Sequence, residues 1–298
     1  MTTIAFIGLG NMGGPMAGNL LKAGHTVIGF DLVPASCEAA KGEGVRIAGS
    51  GADAVREADA VVTMLPAGKH VISVWQDILP AAKPGTLVID SSTIDVENAR
   101  KAHSMAKERG CQSLDAPVSG GVGGAKAATL TFMCGGAADS FARAEPILSK
   151  MGKRVVHCGE AGAGQAAKIC NNMMLGISMI GVCEAFVLAE KLGLSAEALF
   201  EVASNSSGQC WSLTSYCPVP GPVPGSPANS GYKPGFASAL MWKDLKLAQE
   251  AATAAGAATP LGAAAAQVYA LHNAWGEGGA DFSGIIHLIR GRGGEPSR

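Results

Sequence analysis

A lysine and an asparagine, four residues apart, lie near the start of an apolar segment that runs from residue 162 to 189. The spacing of Lys168 and Asn172 puts both side chains on one face of a helix, where they can reach one small ligand. Asn171 points about 100° away and is expected to be structural. The flanks of Lys168 are apolar and hold no nearby acid, so this lysine is not expected to extend into water as most lysines do. Such surroundings are expected to lower the pKa of its amine from about 10.4 and make it a proton donor or acceptor.

Histidine is the usual alternative for acid–base chemistry. The six histidines are scattered along the chain, and none is predicted to have an aspartate partner. We therefore predict Lys168 as the general acid/base. The eight cysteines form no C-x-x-C pair and no cluster with histidine, so we expect reduced thiols and no metal site.

A glycine-rich turn follows the first apolar run of the chain. TIAFI at 3–7 predicts a strand, and Gly8, Gly10 and Gly13 then fit G-x-G-x-x-G at the start of a helix. Two of these glycines let backbone amides approach a pyrophosphate, and the third permits close packing of the helix. This pattern predicts a dinucleotide-binding site.

An acid stands where the ribose of a dinucleotide would lie. Asp31 ends a second predicted strand, TVIGF at 26–30, and can accept hydrogen bonds from a ribose diol. A carboxylate repels a 2′-phosphate, and no arginine in DLVPAS would attract one. NAD is therefore predicted rather than NADP.

The segment DAPVSGGVGGAKAATL is too polar and too rich in glycine for a core element. Ser119, Gly120 and Gly121 combine a hydroxyl group with unshielded backbone amides, which suits a carboxylate. The alternative is an ordinary flexible glycine turn.

Apolar strands and helices alternate through the first half of the chain. This pattern predicts a mostly parallel, doubly wound sheet with helices on both faces, a Rossmann-type α/β domain. Ligands of such sheets lie beyond the carboxyl ends of the strands. Leu65, Pro66, Ser91, Ser92 and Thr93 are expected on that side, although ordinary loop chemistry is an equal alternative for the two serines.

After HCGEAGAG the pattern changes to helices alone, which predicts a boundary near residue 162. We expect a dinucleotide-binding domain at 1–162 and an all-α domain at 163–298 for substrate binding and oligomerisation. A helix from Gln165 to about Lys191 would span some 40 Å and join the two domains. Its many small residues favour close contact between subunits, as a homodimer or a homotetramer.

The bulk composition indicates a globular protein, with 48% hydrophobic and 16% charged residues. A net charge of -1 without a basic run gives no footprint for nucleic acid or anionic lipid. The sequence predicts no signal peptide and no membrane-spanning segment, since the best candidate is interrupted at Glu184. A cytoplasmic protein with small-molecule partners is expected.

A proline-rich segment precedes the last helices. Five prolines between residues 218 and 227 could form a polyproline ligand for an SH3-like partner. The neighbouring Trp211, Tyr216 and Tyr232 favour an ordered loop that lines or covers a site.

Four motifs in order resemble the β-hydroxyacid dehydrogenases, and within them the 3-hydroxyisobutyrate branch. They are GLGNMG at 8–13, DAPVSGG at 115–121, GAGQAAKICNN at 162–172 and KDLKLA at 243–248. The resemblance covers essentially the whole chain, and YCPVPGPVPGSPANSGYKPGF also resembles this branch. Trp242 is not the residue type expected before Lys243, which leaves the fine shape of the pocket open.

The resemblance implies a role for each matching residue. The catalytic residue would be Lys168. The substrate would be bound by Ser119, Gly120, Gly121, Asn172, Phe236 and Asp244. The cofactor would be bound by Gly8, Leu9, Gly10, Asn11, Met12, Gly13, Asp31, Leu65, Pro66, Thr93 and Lys243.

The implied activity is NAD-dependent oxidation of 3-hydroxyisobutyrate to methylmalonate semialdehyde, as in valine catabolism. Related activities stay open, namely reduction of tartronate or succinic semialdehyde and oxidation of serine or another 3-hydroxy acid. A non-catalytic NAD-binding scaffold on the same fold is the alternative from a different class.

Overall fold

The computed structural model describes residues 1–291, which divide into two compact units, Met1–Lys168 and the chain from Ile169 onward. The predicted second domain extends to residue 298, and its last seven residues, 292–298, lie outside the described residues. Strand and helix alternation ends before residue 163, whereas the compact units divide within a helix that belongs to both.

The first unit is built on one nine-stranded sheet. Its strands are β1 (Thr3–Ile7), β2 (Thr26–Phe30), β3 (Arg46–Ile47), β4 (Ala60–Thr63), β5 (Leu87–Asp90), β6 (Gln112–Asp115), β7 (Val118–Ser119), β8 (Leu130–Gly135) and β9 (Gly152–Gly159). Six parallel strands run in the order β3-β2-β1-β4-β5-β6, the order of a dinucleotide-binding sheet. β8 is antiparallel to β6 and β7 and parallel to β9.

Helices cover both faces of this sheet. They are α1 (Gly13–Lys22), α2 (Pro34–Gly42), α3 (Gly51–Val55), α4 (Gly68–Ile78), α5 (Val96–Glu108), α6 (Gly121–Ala127) and α7 (Ala138–Leu148). Successive side chains of a strand point to opposite faces. Ile4 and Phe6 of β1 accordingly belong to one apolar core and Ala5 and Ile7 to another. The predicted fold class, a doubly wound and mostly parallel sheet, is confirmed.

The long helix α8 (Ala163–Lys191) begins in the first unit and continues into the second. The other helices of the second unit are α9 (Ala196–Ser204), α10 (Trp211–Thr214), α11 (Ser238–Ala255), α12 (Pro260–Ala274) and α13 (Ile285–Ile289). Short 3₁₀ turns lie at Pro227–Ser230, Glu277–Gly279 and Phe282–Gly284. These elements enclose an apolar core that includes Met179, Phe186, Leu245 and Tyr269.

Two local features shape the end of the second unit. The Asp281 side chain accepts from the Ser283 amide and starts a 3₁₀ turn, which the short α13 follows. Thr259 precedes α12, with Pro260 at the first helical position, and its hydroxyl donates to Gln249 instead of capping the helix.

The helix α8 is long and apolar enough to cross a membrane by length and composition, which differs from the sequence prediction. Its most apolar 18-residue window has a mean hydropathy of 1.7, and 39% of that window is buried. A core helix of a water-soluble protein passes the same test. Apolar side chains of α8, including Met174 and Leu188, are exposed.

Candidate active site

Each of the three glycines in the turn between β1 and α1 is required for a different structural reason. Gly8 has a φ of +95°, and a Cβ there would collide with the carbonyl oxygen of Met64. A Cβ at Gly13 would collide with the carbonyl oxygen of Gly8, so the third glycine lets α1 pack on the turn. Nothing lies within 4 Å of a Cβ placed at Gly10, so the middle of the turn is open to a ligand. This is the cradle that a pyrophosphate needs.

The other residues of the turn divide between the core and the surface. Leu9 and Met12 pack against the apolar core, whereas Asn11 is exposed. The Leu9 amide donates to Asp31 Oδ2 at 2.6 Å, and the Val33 amide donates to Oδ1 at 2.8 Å. The carboxylate is therefore fixed beside the glycine turn and half-buried, as recognition of a ribose diol requires. These residues fit an adenine dinucleotide.

The loops that follow β4 and β5 are tied together at the carboxyl edge of the sheet. The Leu65 amide donates to Ser92 Oγ at 2.8 Å, and a Leu65 methyl lies 3.3 Å from a Cβ placed at Gly8. The structure thus brings the β4 loop to the glycine turn and the β5 loop to the β4 loop. Pro66 is exposed there and Thr93 is half-buried. Ser92 has a structural role, because its hydroxyl connects the two loops.

Asp90, at the end of β5, forms hydrogen bonds that stabilise the edge where these loops meet. Its Oδ1 accepts from Thr63 Oγ1 at 2.7 Å and from Ser92 Oγ at 2.6 Å, while Oδ2 is buried without a hydrogen-bond partner among the described residues. Burial raises the pKa of Asp90 to about 7, although hydrogen bonds from Ser92 and Thr63 oppose the shift. The sequence did not single out this residue.

The segment around Ser119 is more ordered than a flexible glycine turn. Ser119 ends β7 and pairs with Thr131 of β8, and α6 begins at Gly121. Gly120 and Gly121 have φ values of +130° and +60°, which glycine adopts without strain. The hydroxyl and the two glycine amides therefore lie on a fixed backbone. Carboxylate binding by this segment stays a prediction.

One sequence prediction about histidine is wrong. His103 Nε2 lies 2.8 Å from Asp115 Oδ1, and His103 Nδ1 lies 2.7 Å from Ser113 Oγ. The partners are distant in sequence because the packing of α5 beside β6 brings them together. Since both ring nitrogens are engaged inside the fold, His103 has none left for a substrate.

Lys168 and Asn172 lie on successive turns of α8, as predicted. Their relative exposures are 7% and 2%, so the side chains of both are buried. Asn171 is exposed and donates its amide to Asn172 Oδ1 at 3.0 Å. This bond fixes the orientation of the Asn172 amide, with the oxygen toward Asn171.

The second unit supplies the partner of that amide. Asn172 Nδ2 donates to Asp244 Oδ2 at 2.5 Å, and Lys243 Nζ lies 3.3 Å from Asp244 Oδ1. Oδ1 accepts no hydrogen bond within the described residues, but the ion pair with Lys243 balances its charge. Three residues that the resemblance assigns to the site, Asn172, Lys243 and Asp244, therefore form one polar chain.

Phe236 is held by a buried carboxylate that the sequence did not single out. Asp281 Oδ2 accepts from the amides of Gly235 and Phe236 and from the Tyr216 hydroxyl. Asp281 Oδ1 accepts from the amide and the hydroxyl of Ser283. The Phe236 ring lies edge-on to Phe282, with ring centroids 5.8 Å apart. The unexpected Trp242 packs against the core of the second unit, and Lys246 Nζ lies 4.0 Å from its ring centroid.

The proline-rich segment folds onto the second unit. Cys217, Val219 and Ala228 are buried, and the Tyr232 hydroxyl donates to the Pro218 carbonyl at 2.9 Å. Ser226 Oγ donates to the Cys217 carbonyl, which closes the loop on itself. These contacts favour an ordered loop, and an SH3-like partner stays an untested alternative.

Within residues 1–291, no three His, Cys, Asp or Glu side chains are grouped so that they could hold a metal ion. All eight cysteines are free thiols.

Two family models together match nearly the whole chain. Residues 3–159 match the NAD-binding domain of 6-phosphogluconate dehydrogenase, and residues 162–289 match the NAD-binding domain of NADP-dependent 3-hydroxyisobutyrate dehydrogenase. The 3-hydroxyisobutyrate dehydrogenase of Pseudomonas aeruginosa is 52% identical, over 98% of this chain and 100% of its own. The chain belongs to the β-hydroxyacid dehydrogenase family.

Other relatives agree with this assignment. A structure of 3-hydroxyisobutyrate dehydrogenase from Mycobacterium tuberculosis, solved with L-serine, is 56% identical with a TM-score of 0.95 and covers 97% of this chain and 99% of its own. An NAD-dependent L-serine dehydrogenase of Pseudomonas aeruginosa is 48% identical, over 97% of this chain and 98% of its own. The predicted family is confirmed, as are an NAD-dependent hydroxyacid dehydrogenase activity and a nicotinamide dinucleotide cofactor.

Proposed function

We propose that this enzyme oxidises the primary alcohol of 3-hydroxyisobutyrate to methylmalonate semialdehyde, with NAD as the acceptor and Lys168 as the general acid/base. The observation that carries the proposal is the burial of Lys168 one helical turn from Asn172, in a chain matched over almost its full length by 3-hydroxyisobutyrate dehydrogenases. The roles of the individual residues are part of the proposal.

The bound nicotinamide supplies the hydride acceptor, and a side chain of the protein accepts the proton. The hydroxyl proton of the substrate passes to Lys168 Nζ, which must be neutral when it accepts. Asn172 uses one N–H on Asp244 and keeps the other for the substrate. Ser119 and the amides of Gly120 and Gly121 receive the substrate carboxylate.

The glycine turn and Asp31 hold the dinucleotide. Asp31 accepts from the ribose hydroxyls and disfavours a 2′-phosphate, which supports NAD as the preferred form. Leu65, Pro66 and Thr93, from the loops after β4 and β5, line the nicotinamide side.

Substitution of Lys168 tests the proposal. We expect Lys168→Ala to lower kcat by about 10² to 10⁴ while NADH binding survives. Lys168→Arg keeps the positive charge but cannot give up its proton, so it should be comparably slow. Turnover at the wild-type rate in either variant would refute the acid/base role.

L-serine is the second candidate substrate. It is also a 3-hydroxy acid, and it is named for two of the relatives. Initial rates of NADH formation with 3-hydroxyisobutyrate, L-serine and glycerate, and of NADH consumption with succinic and tartronate semialdehydes, would rank the substrates. We expect the highest kcat/KM with 3-hydroxyisobutyrate, and no turnover of any of them would favour a non-catalytic scaffold.

We also infer a cytoplasmic enzyme that forms a homodimer or a homotetramer. Free thiols favour a reducing compartment, and a second copy of the chain would cover the exposed apolar side chains of α8. Analytical ultracentrifugation at micromolar concentration would give the oligomeric state, and a monomer would exclude the assembly.

A further inference from the structure

Gln165, in the first turn of α8, has a side chain that is fully engaged inside the first unit. It is 0% exposed. Its Oε1 accepts from the Ile94 amide at 3.0 Å, and its Nε2 donates to the Ser92 carbonyl at 2.7 Å. These two backbone groups flank Thr93, so one amide side chain holds the loop after β5 on both sides of that residue.

The backbone of Gln165 is fixed as firmly as its side chain. Asp115 Oδ2 accepts from the Gln165 amide at 2.9 Å, and Asp115 Oδ1 accepts from the Gly162 amide at 2.8 Å. One carboxylate thus satisfies two amides at the start of α8, where no helical partner exists for them. The start of the helix cannot shift along the sheet without breaking these bonds.

Two glycines allow this close contact. A Cβ at Gly164 would collide with the Met133 carbonyl oxygen and lie 2.7 Å from the Asp115 carbonyl oxygen. A Cβ at Gly135 would lie 2.6 Å from the Gly164 nitrogen. The helix therefore lies directly on the ends of β6 and β8.

Lys168 follows Gln165 by three residues, on nearly the same face of α8. The amide that holds the Thr93 loop is therefore less than one helical turn, about 4.5 Å along the axis, from the residue that carries the amine. The same loop reaches the glycine turn through the Ser92 and Leu65 contact. A continuous set of hydrogen bonds thus joins Gln165, three residues before Lys168, to the loop after β4 beside the glycine turn.

A buried amide group is destabilising unless its hydrogen bonds are made, and a methionine would fill the same space without that requirement. Gln165 meets the requirement with two backbone groups that flank a single residue. The amide therefore fixes the distance between the Thr93 loop and the helix that carries the amine. An apolar side chain could not do this.

We propose that Gln165 is a positioning residue that sets the distance between the Lys168 amine and the nicotinamide side of the site at the Thr93 loop. The inference rests on the proposed role of Lys168. It does not require Gln165 to touch the substrate or the dinucleotide. Proton transfer depends steeply on distance, and a displacement of about 1 Å can slow a reaction by about 100-fold.

Gln165→Met tests the proposal, because it keeps the volume and removes both hydrogen bonds. We expect kcat to fall about 10- to 100-fold and the isotope effect on kcat, with substrate deuterated at the carbinol carbon, to increase. The Kd for NADH, from fluorescence titration, should stay within about 3-fold of wild type, since the glycine turn and Asp31 are untouched. Gln165→Glu should be at least as slow, because it turns an oxygen toward the Ser92 carbonyl, and it serves if the methionine variant does not fold.

A core variant separates positioning from loss of stability. Ile78 is buried between α4 and the sheet, and Ile78→Ala should lower the Tm without touching the site. We expect its kcat and isotope effect to equal those of wild type. Wild-type kcat and isotope effect in the Gln165 variants, or an equal loss of kcat in Ile78→Ala, would overturn the proposal. Wild-type turnover of Lys168→Ala would instead refute the proposed function on which it rests.

Discussion

Asp115 Oδ1 lies 2.8 Å from His103 Nε2, although the two residues belong to different elements, β6 and α5. The same carboxylate accepts hydrogen bonds from the backbone amides of Gly162 and Gln165 at the start of α8. The contact has a structural rather than a catalytic character, because His103 also bonds to Ser113 through its other nitrogen. Asp115 therefore joins α5, β6 and α8 at one point.

Substitution at this point should affect stability in proportion to the bonds lost. Asp115→Asn replaces one accepting oxygen by an NH₂ group that faces a backbone amide, and we expect it to cost about 2 to 4 kcal/mol of unfolding free energy. His103→Ala removes two bonds, those to Asp115 and Ser113, from a largely buried ring and should cost about 1 to 3 kcal/mol. Urea denaturation measures both.

Activity then separates the two candidate bases. His103→Ala should keep a kcat within about 2-fold of wild type, because the ring has no nitrogen free for a substrate. A loss of 100-fold or more, together with a wild-type rate for Lys168→Ala, would make His103, not Lys168, the acid/base.

The stability of the fold should depend on pH through Asp90. Its pKa is raised from 3.8 to about 7 by burial, so the folded state binds the proton more tightly than the unfolded state does. This contribution is fully present below about pH 4 and is lost as pH rises through 7, at a cost on the order of 4 kcal/mol. Stability should therefore fall between about pH 4 and pH 7.

Asp90→Asn removes this titration with little change in shape. We expect the variant to match wild type at pH 4 and to be more stable than wild type at pH 8, by urea denaturation at both values. Ser91→Ala, at the neighbouring buried serine, controls for local packing and should show the wild-type pH dependence. Parallel pH profiles of Asp90→Asn and wild type would contradict the assignment.

The sequence predicted the sheet because the period of the apolar residues is a local property. The limits of β1 and β2 match the predicted runs, and G-x-G-x-x-G with Asp31 predicted the edge at which we propose that the dinucleotide binds. Contacts between residues far apart in the chain could not be predicted in this way. His103 and Asp115, Ser92 and Gln165, and Asp281 and Phe236 meet only when the elements are packed.

The motifs nevertheless carried part of this information. Asp115 begins DAPVSGG and Gln165 lies within GAGQAAK, but a buried acid and a buried amide have no local signature that distinguishes a structural from a catalytic role. The short β7 and α6 were missed because a segment so rich in glycine has little intrinsic preference for either.

Asp31 should control the choice between NAD and NADP. Asp31→Ser removes a charged acceptor, and we expect kcat/KM with NAD to fall about 10- to 100-fold while that with NADP rises. Glu38→Ala removes an exposed acid from the neighbouring α2 and is the matched control for net charge. An unchanged NAD to NADP ratio in Asp31→Ser would show that this carboxylate does not contact the ribose.

Asp281 should hold the loop that carries Phe236. Asp281→Asn leaves two of its five donors without an acceptor of the same strength, and we expect a loss of about 2 to 4 kcal/mol of unfolding free energy. In the variant, hydrogen exchange at the Gly235 and Phe236 amides should become faster than in wild type, and this increase should be larger than any increase in α12. Exchange that stays at the wild-type rate would mean that the loop is held by its other contacts, such as Tyr232 with Pro218.

The hydrogen bond between Asn172 and Asp244 can be tested by exchanging its partners. Asn172→Asp places two carboxylates in contact, and we expect kcat/KM for the hydroxy acid to fall at least about 100-fold. Asp244→Asn keeps an oxygen for Asn172 but loses the charge that pairs with Lys243, so a smaller fall of about 10-fold, mainly in KM, is expected.

The double variant restores one amide and one carboxylate with their positions reversed. A positive coupling in the double-mutant cycle, with kcat/KM above that of Asn172→Asp alone, is expected if the pair acts as a unit. Lys246→Ala, one turn from Lys243 on α11 and in contact with Trp242, is the control and should stay within about 2-fold of wild type. Strictly additive losses in the cycle would show that Asn172 binds the substrate without help from Asp244.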